Sequence, residues 1–302
     1  MNHVNHHKPQ ARLTKKFMLA LLVAVAIIAL QFRLPTQIGA EPANHPSNKT
    51  VMKHSGYADV NGLHMYYEVY GKRNKGTPLV LLHGAFMNLD SSFGQLIPEL
   101  AKTRTIIAIE QQGHGRTADI DRPLSYQQMA DDTAALLEQI GVEKADFFGW
   151  SMGGNIASQI AVRHPEIVDK VAVTGANFGP IITAFTPEGY NGFVSIPDDF
   201  APPALKEPYD KLAPKPEQWS EVVVKVREMG IAYQGISADR LRDIQVPFMV
   251  MAGDHDTVDL NHLLDTYRLL PKGSLAVVPN SDHFLPVMRY QDVLMLLEDF
   301  LK

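Results

Sequence analysis

Apolar positions along the chain fall into two patterns. Short, almost wholly apolar runs recur at residues 79–82, 105–109, 145–148, 171–173, 248–251 and 275–278. Runs of this length suit parallel strands buried on both faces. Helical spacing lies between them. Ser125 and Gln128 form a capping-box signature ahead of Met129, Ala134, Leu136, Leu137 and Ile140, and Gly141 ends that helix. Residues 152–164 read as a helix stopped by Pro165, and residues 260–270 as one stopped by Pro271. Residues 289–301 place Val293, Leu296, Leu297 and Phe300 on one side of a closing helix. Ahead of this alternation, residues 57–60, Asn61-Gly62 and residues 63–70 read as a hairpin, because Asn-Gly tolerates positive φ at both turn positions. Strands alternating with helices predict an α/β fold: a mostly parallel sheet with helices on both faces. Residues 176–241 break the pattern. They are rich in proline, lack a strand run and carry one predicted helix at 221–229, which reads as an insertion above the sheet.

The first 55 residues are of another kind. Lys8, Arg12, Lys15 and Lys16 precede an unbroken apolar run at 17–30, and Ile38-Gly39-Ala40 supplies small residues before a cut after Ala40. Residues 1–40 thus predict a secretory signal peptide or, uncleaved, an N-terminal membrane anchor. The run is shorter than the ~20 residues that span a bilayer comfortably. Export to a periplasm or secretion is expected, with membrane contact only through residues 17–32 if the segment stays. Residues 41–55, polar and with Pro42 and Pro46, read as a linker to a domain at 56–302. Residues 1–40 hold five of the 28 Lys and Arg and none of the 33 Asp and Glu, so their removal leaves a formal charge of −10. No basic cluster suited to a phosphate backbone remains, and nucleic acid is not an expected partner. The chain has no cysteine, which excludes disulfides, thiolate metal ligands and a cysteine nucleophile.

The sharpest chemical signal is Gly149-Trp150-Ser151-Met152-Gly153-Gly154, set between a predicted strand and a predicted helix. A serine on such a turn is held in a strained backbone, with its hydroxyl aimed away from the sheet. The competing assignment makes Ser151 a simple helix N-cap.

On these residues, the stretch 79–301 resembles the α/β-hydrolase family, and residues 57–70 look like its opening hairpin. Its landmarks follow in order: His83-Gly84 after the first long strand, Glu110 and Gly113-His114-Gly115-Arg116-Thr117 after the next, the elbow at Ser151, Gly253-Asp254-His255-Asp256, and Asp282-His283. The insertion at about 176–241 falls where the family carries its cap. The resemblance implies Ser151 as nucleophile, His283 as base and Asp256 as orienting acid, with Asp254 and Asp259 as competitors. It places His83 and His114 at loop-organising positions. It implies an oxyanion hole from the backbone N–H groups of Met152 and Ala85, with Phe86 as the alternative to Ala85. Phe86 and Trp150 are candidates for lining the substrate pocket or for plain core packing.

A serine nucleophile excludes the aspartate-based dehalogenase mechanism of similar folds. The expected partner is a small-molecule acyl substrate, with carboxylic-ester hydrolysis favoured. Lactonase, carbon–carbon hydrolase, iminopeptidase and perhydrolase activities are alternatives, and a non-catalytic ligand-binding member is a different class. No cofactor is expected, since no glycine-rich dinucleotide fingerprint appears. No metal site is expected either, because His255 and His262 stand seven apart rather than the four that pair ligands on one helical face.

Overall fold

The computed structural model describes residues 52–71 and 76–302. Within them each apolar run is a strand. β3 (Leu79–Leu82), β4 (Ile106–Ile109), β5 (Ala145–Trp150), β6 (Val168–Thr174), β7 (Phe248–Gly253) and β8 (Gly273–Val278) pair in parallel. β1 (Met52–Val60) and β2 (Leu63–Tyr70) form the antiparallel hairpin, and β2 lies antiparallel to β4. The order across the sheet is β1-β2-β4-β3-β5-β6-β7-β8. β3, β4, β5 and β7 are buried along their whole length, which is why their sequences are apolar without alternation.

Helices cover both faces. α1 (Leu89–Phe93), α2 (Leu96–Leu100), α11 (Leu285–Met288) and α12 (Tyr290–Phe300) press Phe93, Leu96, Leu285 and Val293 onto Leu81, Phe148 and Met251. α3 (Tyr126–Gln139), α4 (Met152–Arg163) and α10 (Leu260–Leu269) press Met129, Ile156, Ile160 and Leu263 onto Val80, Phe147 and Val250 on the other face. Each fully buried side chain of this size contributes about 1.5–3 kcal/mol over its exposed state. Only half of the expected capping box at Ser125 forms. Its hydroxyl accepts from the Gln128 backbone at 3.1 Å, but the Gln128 side chain turns instead to Asp132.

Two expectations are corrected. Residues 52–55, read as linker, belong to β1, where His54 pairs with Val69 and Ser55 with Glu68. A ladder is made by backbone groups, so polar side chains do not end it. The segment between β6 and β7 holds five helices rather than one: α5 (Ile181–Ala184), α6 (Pro187–Val194), α7 (Pro203–Leu212), α8 (Trp219–Ala232) and α9 (Ala238–Arg242). Pro187 and Pro203 are the first residues of their helices, where a missing N–H costs nothing. Tyr209, Trp219 and Val223 form a buried cluster here, with Phe86 and Phe200 against it. The predicted leader at 1–40 lies outside the described residues. Among the described residues no helix is long and apolar enough to cross a membrane.

Asp132 ties the hairpin to this core. Its fully buried carboxylate accepts from Arg122 at 2.6 Å, from Asn61 in the hairpin turn at 2.9 Å and from Gln128 at 3.0 Å. Removing one member of a buried pair leaves the other charge uncompensated. Asp132→Ala is expected to cost about 3–5 kcal/mol, read as a lowered urea midpoint at unchanged slope. A loss within experimental error would show that the network contributes nothing net.

Candidate active site

The elbow is built by close packing. α4 starts directly after β5 and runs back against the sheet. A Cβ on Gly153 would stand 1.9 Å from the Leu82 carbonyl oxygen, and one on Gly149 would stand 2.2 Å from that of Gly153. Only glycine fits at either place. The turn between them holds Ser151 at φ 54° and ψ −117°, a strained conformation for a residue with a side chain. Its hydroxyl makes no helix-capping bond, so the N-cap assignment fails on geometry. Instead Ser151 Oγ lies 2.9 Å from His283 Nε2.

His283 stands on the loop after β8, and its Nδ1 lies 2.8 Å from Asp256 Oδ1. The Asp256 side chain is fully buried and also accepts from the Val258 backbone N–H at 3.0 Å. A carboxylate only accepts, so Nδ1 carries the imidazole proton and Nε2 turns its lone pair to the serine hydroxyl. Burial pulls the His283 pKa down, but the charge and hydrogen bond of Asp256, with the more distant Asp282, outweigh it and leave it above its ordinary value. The competing carboxylates have other partners. Asp254 accepts from the Ser281 backbone at 3.1 Å, and Asp259 caps α10 through the N–H groups of Asn261 and His262. Backbone N–H donors hold Asp254 below the usual carboxylate range.

Gly175 was not legible as part of this site. It follows β6 at φ 61°, and a Cβ there would meet the His283 ring at 2.8 and 2.9 Å. Bare backbone therefore forms one wall of the imidazole. The buried pair Asn155–Asn177 fixes this segment to α4, with bonds of 2.8 and 2.9 Å. No sequence spacing announces either feature.

The loop after β3 is equally constrained. His83 is fully buried; its Nδ1 donates to the Gly84 carbonyl at 2.9 Å and its Nε2 accepts from the Gln111 backbone at 3.1 Å. Burial, with the neighbouring His114, holds its pKa down at about 3; burial holds His114 at about 4. Both are neutral scaffold. Ala85 follows, then Phe86 at φ 64°. Met152 is the first residue of α4, and a helix leaves its first N–H groups without intrahelical partners. Phe86 packs on Phe200 and Trp219, linking this loop to the inserted helices. Trp150, a candidate pocket residue, is 1% exposed and so lines no open pocket. Its ring continues the face of Phe148, two positions earlier on β5.

A separate cleft of about 640 Å³ opens between α1, α7 and α11, lined by Ser92, Pro203, Pro208, Leu212 and Val287 among others; none of Ser151, Asp256 and His283 lines it. Among the described residues no group of three or more His, Asp or Glu could hold a metal ion. His262 Nε2 accepts from the Phe178 backbone at 3.0 Å.

Comparison with known proteins adds to this geometry. The model of the alpha/beta hydrolase fold family matches residues 77–195. The serine hydrolase BPHL of Mus musculus is 27% identical over 252 residues, covering 80% of this chain and 84% of that protein. The solved structure titled "Est816 as an N-Acyl homoserine lactone degrading enzyme" superposes at a TM-score of 0.63, with 27% identity over 81% of this chain and 99% of that one. The chain belongs to the α/β-hydrolase superfamily. The dihydrolipoyllysine-residue acetyltransferase component of the acetoin cleaving system from Cupriavidus necator is 32% identical over 151 residues, but the match spans only 39% of that protein.

In this α/β-hydrolase the histidines are separable by titration. Imidazole NMR should place the His283 midpoint above 6.5 and keep His83 and His114 neutral until pH falls to about 3 and 4. Asp256→Asn should move the His283 midpoint down. An unmoved midpoint would mean that the carboxylate does not set the state of the ring.

Proposed function

We propose that this protein is a serine hydrolase that cleaves a carboxylic ester of a small molecule through an acyl-enzyme. The continuous relay from Asp256 through His283 to a strained Ser151 carries this reading. A serine hydroxyl is a weak nucleophile at neutral pH and needs an oriented base. In the proposed cycle Ser151 Oγ attacks the substrate carbonyl carbon while its proton passes to His283 Nε2. The negative charge that develops on the carbonyl oxygen is met by the N–H groups of Met152 and Ala85. His283 then protonates the departing alcohol, and the Ser151 ester remains. Water, deprotonated by His283, attacks that ester and releases the acid and free Ser151. Asp256 stays ionised and stabilises the imidazolium in both halves.

The serine hydrolase relative, aligned over most of both chains, supports the class of chemistry. A lactone is a cyclic ester, so the same steps open it; the structural neighbour described as degrading an N-acyl homoserine lactone makes lactones part of the substrate screen.

A fluorophosphonate probe applied to the purified protein should label Ser151. Ser151→Ala should abolish labelling and lower kcat on p-nitrophenyl esters by about 10⁶; full retained activity would remove Ser151 from the mechanism. The base works only when neutral and its pKa is raised, so kcat/KM should rise with pH through a midpoint above 6.5. Labelling without turnover of any ester or lactone would redirect the search to amide or carbon–carbon bonds. We further propose that residues 1–40 direct export as a cleaved leader. The mature chain should then begin near Glu41 by N-terminal sequencing, whereas Met1 on membrane-bound protein would support an anchor.

A further inference from the structure

The loops that build the candidate site leave the sheet from β3, β5, β6, β7 and β8, and the Trp150 side chain, at the end of β5, touches those after β3 and β8. It is the last residue of β5 and the neighbour of Ser151. Its indole Nε1–H donates to the backbone carbonyl of His283 at 2.8 Å. Its six-membered ring lies under Gly84, where a Cβ would stand 3.4–3.6 Å from ring atoms. Its edge meets Phe284, whose ring in turn stands perpendicular to the His283 imidazole.

We propose that Trp150 is a positioning residue, whose bond to the His283 carbonyl holds the imidazole in line between Asp256 and Ser151. The proposal rests on the triad reading above. The rest of the base loop is fastened elsewhere. Ser281 donates its N–H to Asp254 at 3.1 Å and accepts from the His255 N–H at 2.9 Å, and Arg289 holds the Pro279 carbonyl at 2.9 Å. Those anchors end two residues before His283, and the next begin one residue after it, where the Phe284 N–H donates to Asp282 at 2.9 Å and its carbonyl accepts from Val287 and Met288. Losing the indole donor therefore leaves the loop folded but frees the peptide that carries the base. Gly175 backs the ring without bonding it, and Phe284 offers only ring contact. The remaining bonds of the imidazole are those to Asp256 and Ser151, with Thr257 Oγ1 3.4 Å from Nδ1, and a shifted backbone cannot keep the first two together. Being 1% exposed, Trp150 offers no surface to a substrate.

The test compares wild type, Trp150→Phe and an isostere in which β-(3-benzothienyl)alanine replaces Trp150, removing the donor at nearly constant shape. Displacement of a catalytic group by about 1 Å costs up to about 100-fold. Both variants should lose about 10- to 100-fold in kcat and in the rate of fluorophosphonate labelling. KM should stay unchanged, and the acid limb of the pH profile should move to lower pH as the ring leaves Asp256. A merely structural tryptophan would lower Tm and leave kcat and the limb in place, which overturns the proposal. A raised KM at unchanged kcat overturns it too, in favour of a pocket wall. Should Trp150→Phe fail to fold, the isostere decides. An unlabelled wild type overturns the triad reading and this inference with it; a labelled wild type with unaltered variants overturns this inference alone.

Discussion

The contact between α4 and the ends of β3 and β5 is the constraint from which the site follows. At Gly149 and Gly153 the helix and the strands touch backbone to backbone. That approach forces the intervening chain through Ser151 in a left-handed conformation, which costs about 1–3 kcal/mol. The cost is offset by the buried face of α4, where Ile156, Ala157 and Ile160 pack on the sheet. Strain and core are thus two sides of one arrangement: the helix buries its apolar face only if it starts abruptly, and an abrupt start lifts the serine off the sheet. The same start leaves the Met152 N–H at a helix N-terminus, where developing negative charge is favoured.

The parallel sheet brings the other groups to the same end. Asp256 follows β7, His283 follows β8, Gly175 follows β6 and Ala85 follows β3. Loops that leave the carboxyl ends of neighbouring strands meet above the sheet. Their mutual bonds then fix them: Asp254 holds the base loop at Ser281, His83 holds the turn before Ala85, and the Asn155–Asn177 pair holds the segment that includes Gly175. The inserted helices reach the site by another route: Phe86 packs from the β3 loop onto Phe200 and Trp219.

The strands, the long helices and the elbow were legible because each rests on a local rule. Apolar runs at 79–82 or 248–251 have one use in a sheet covered on both sides. The inserted helices were illegible for an equally local reason. Pro187 and Pro203 read as breakers although they start helices, and short helices leave too little periodicity to detect. The order Ser151, Asp256, His283 came from resemblance; choosing Asp256 over Asp254 and Asp259 on physical grounds takes the hydrogen bonds. Trp150 shows the limit most clearly. A large apolar residue beside the candidate nucleophile suggests a pocket wall, yet side-chain alternation on β5 turns it to the face of Phe148, where it is buried beneath the loops after β3 and β8.

His83, His114 and His283 all follow strands of the sheet, and environment separates their chemistry. His83 and His114 are buried against each other, with ring centroids 5.2 Å apart and no carboxylate hydrogen-bonded to either ring. Desolvation then outweighs the backbone hydrogen bonds to Gly84 and Gln112 and the charge of Asp119 near His114, and both stay neutral across the physiological range. Each gives its Nδ1–H to a backbone carbonyl, a use that needs neither charge nor proton exchange. His283 suffers the same desolvation but faces the Asp256 carboxylate at 2.8 Å, which restores the stability of the protonated form. A base must give up its proton at working pH and still welcome one during the reaction. Of the three, only the imidazole with a buried carboxylate on one nitrogen and a hydroxyl on the other has the surroundings that the proposed base needs.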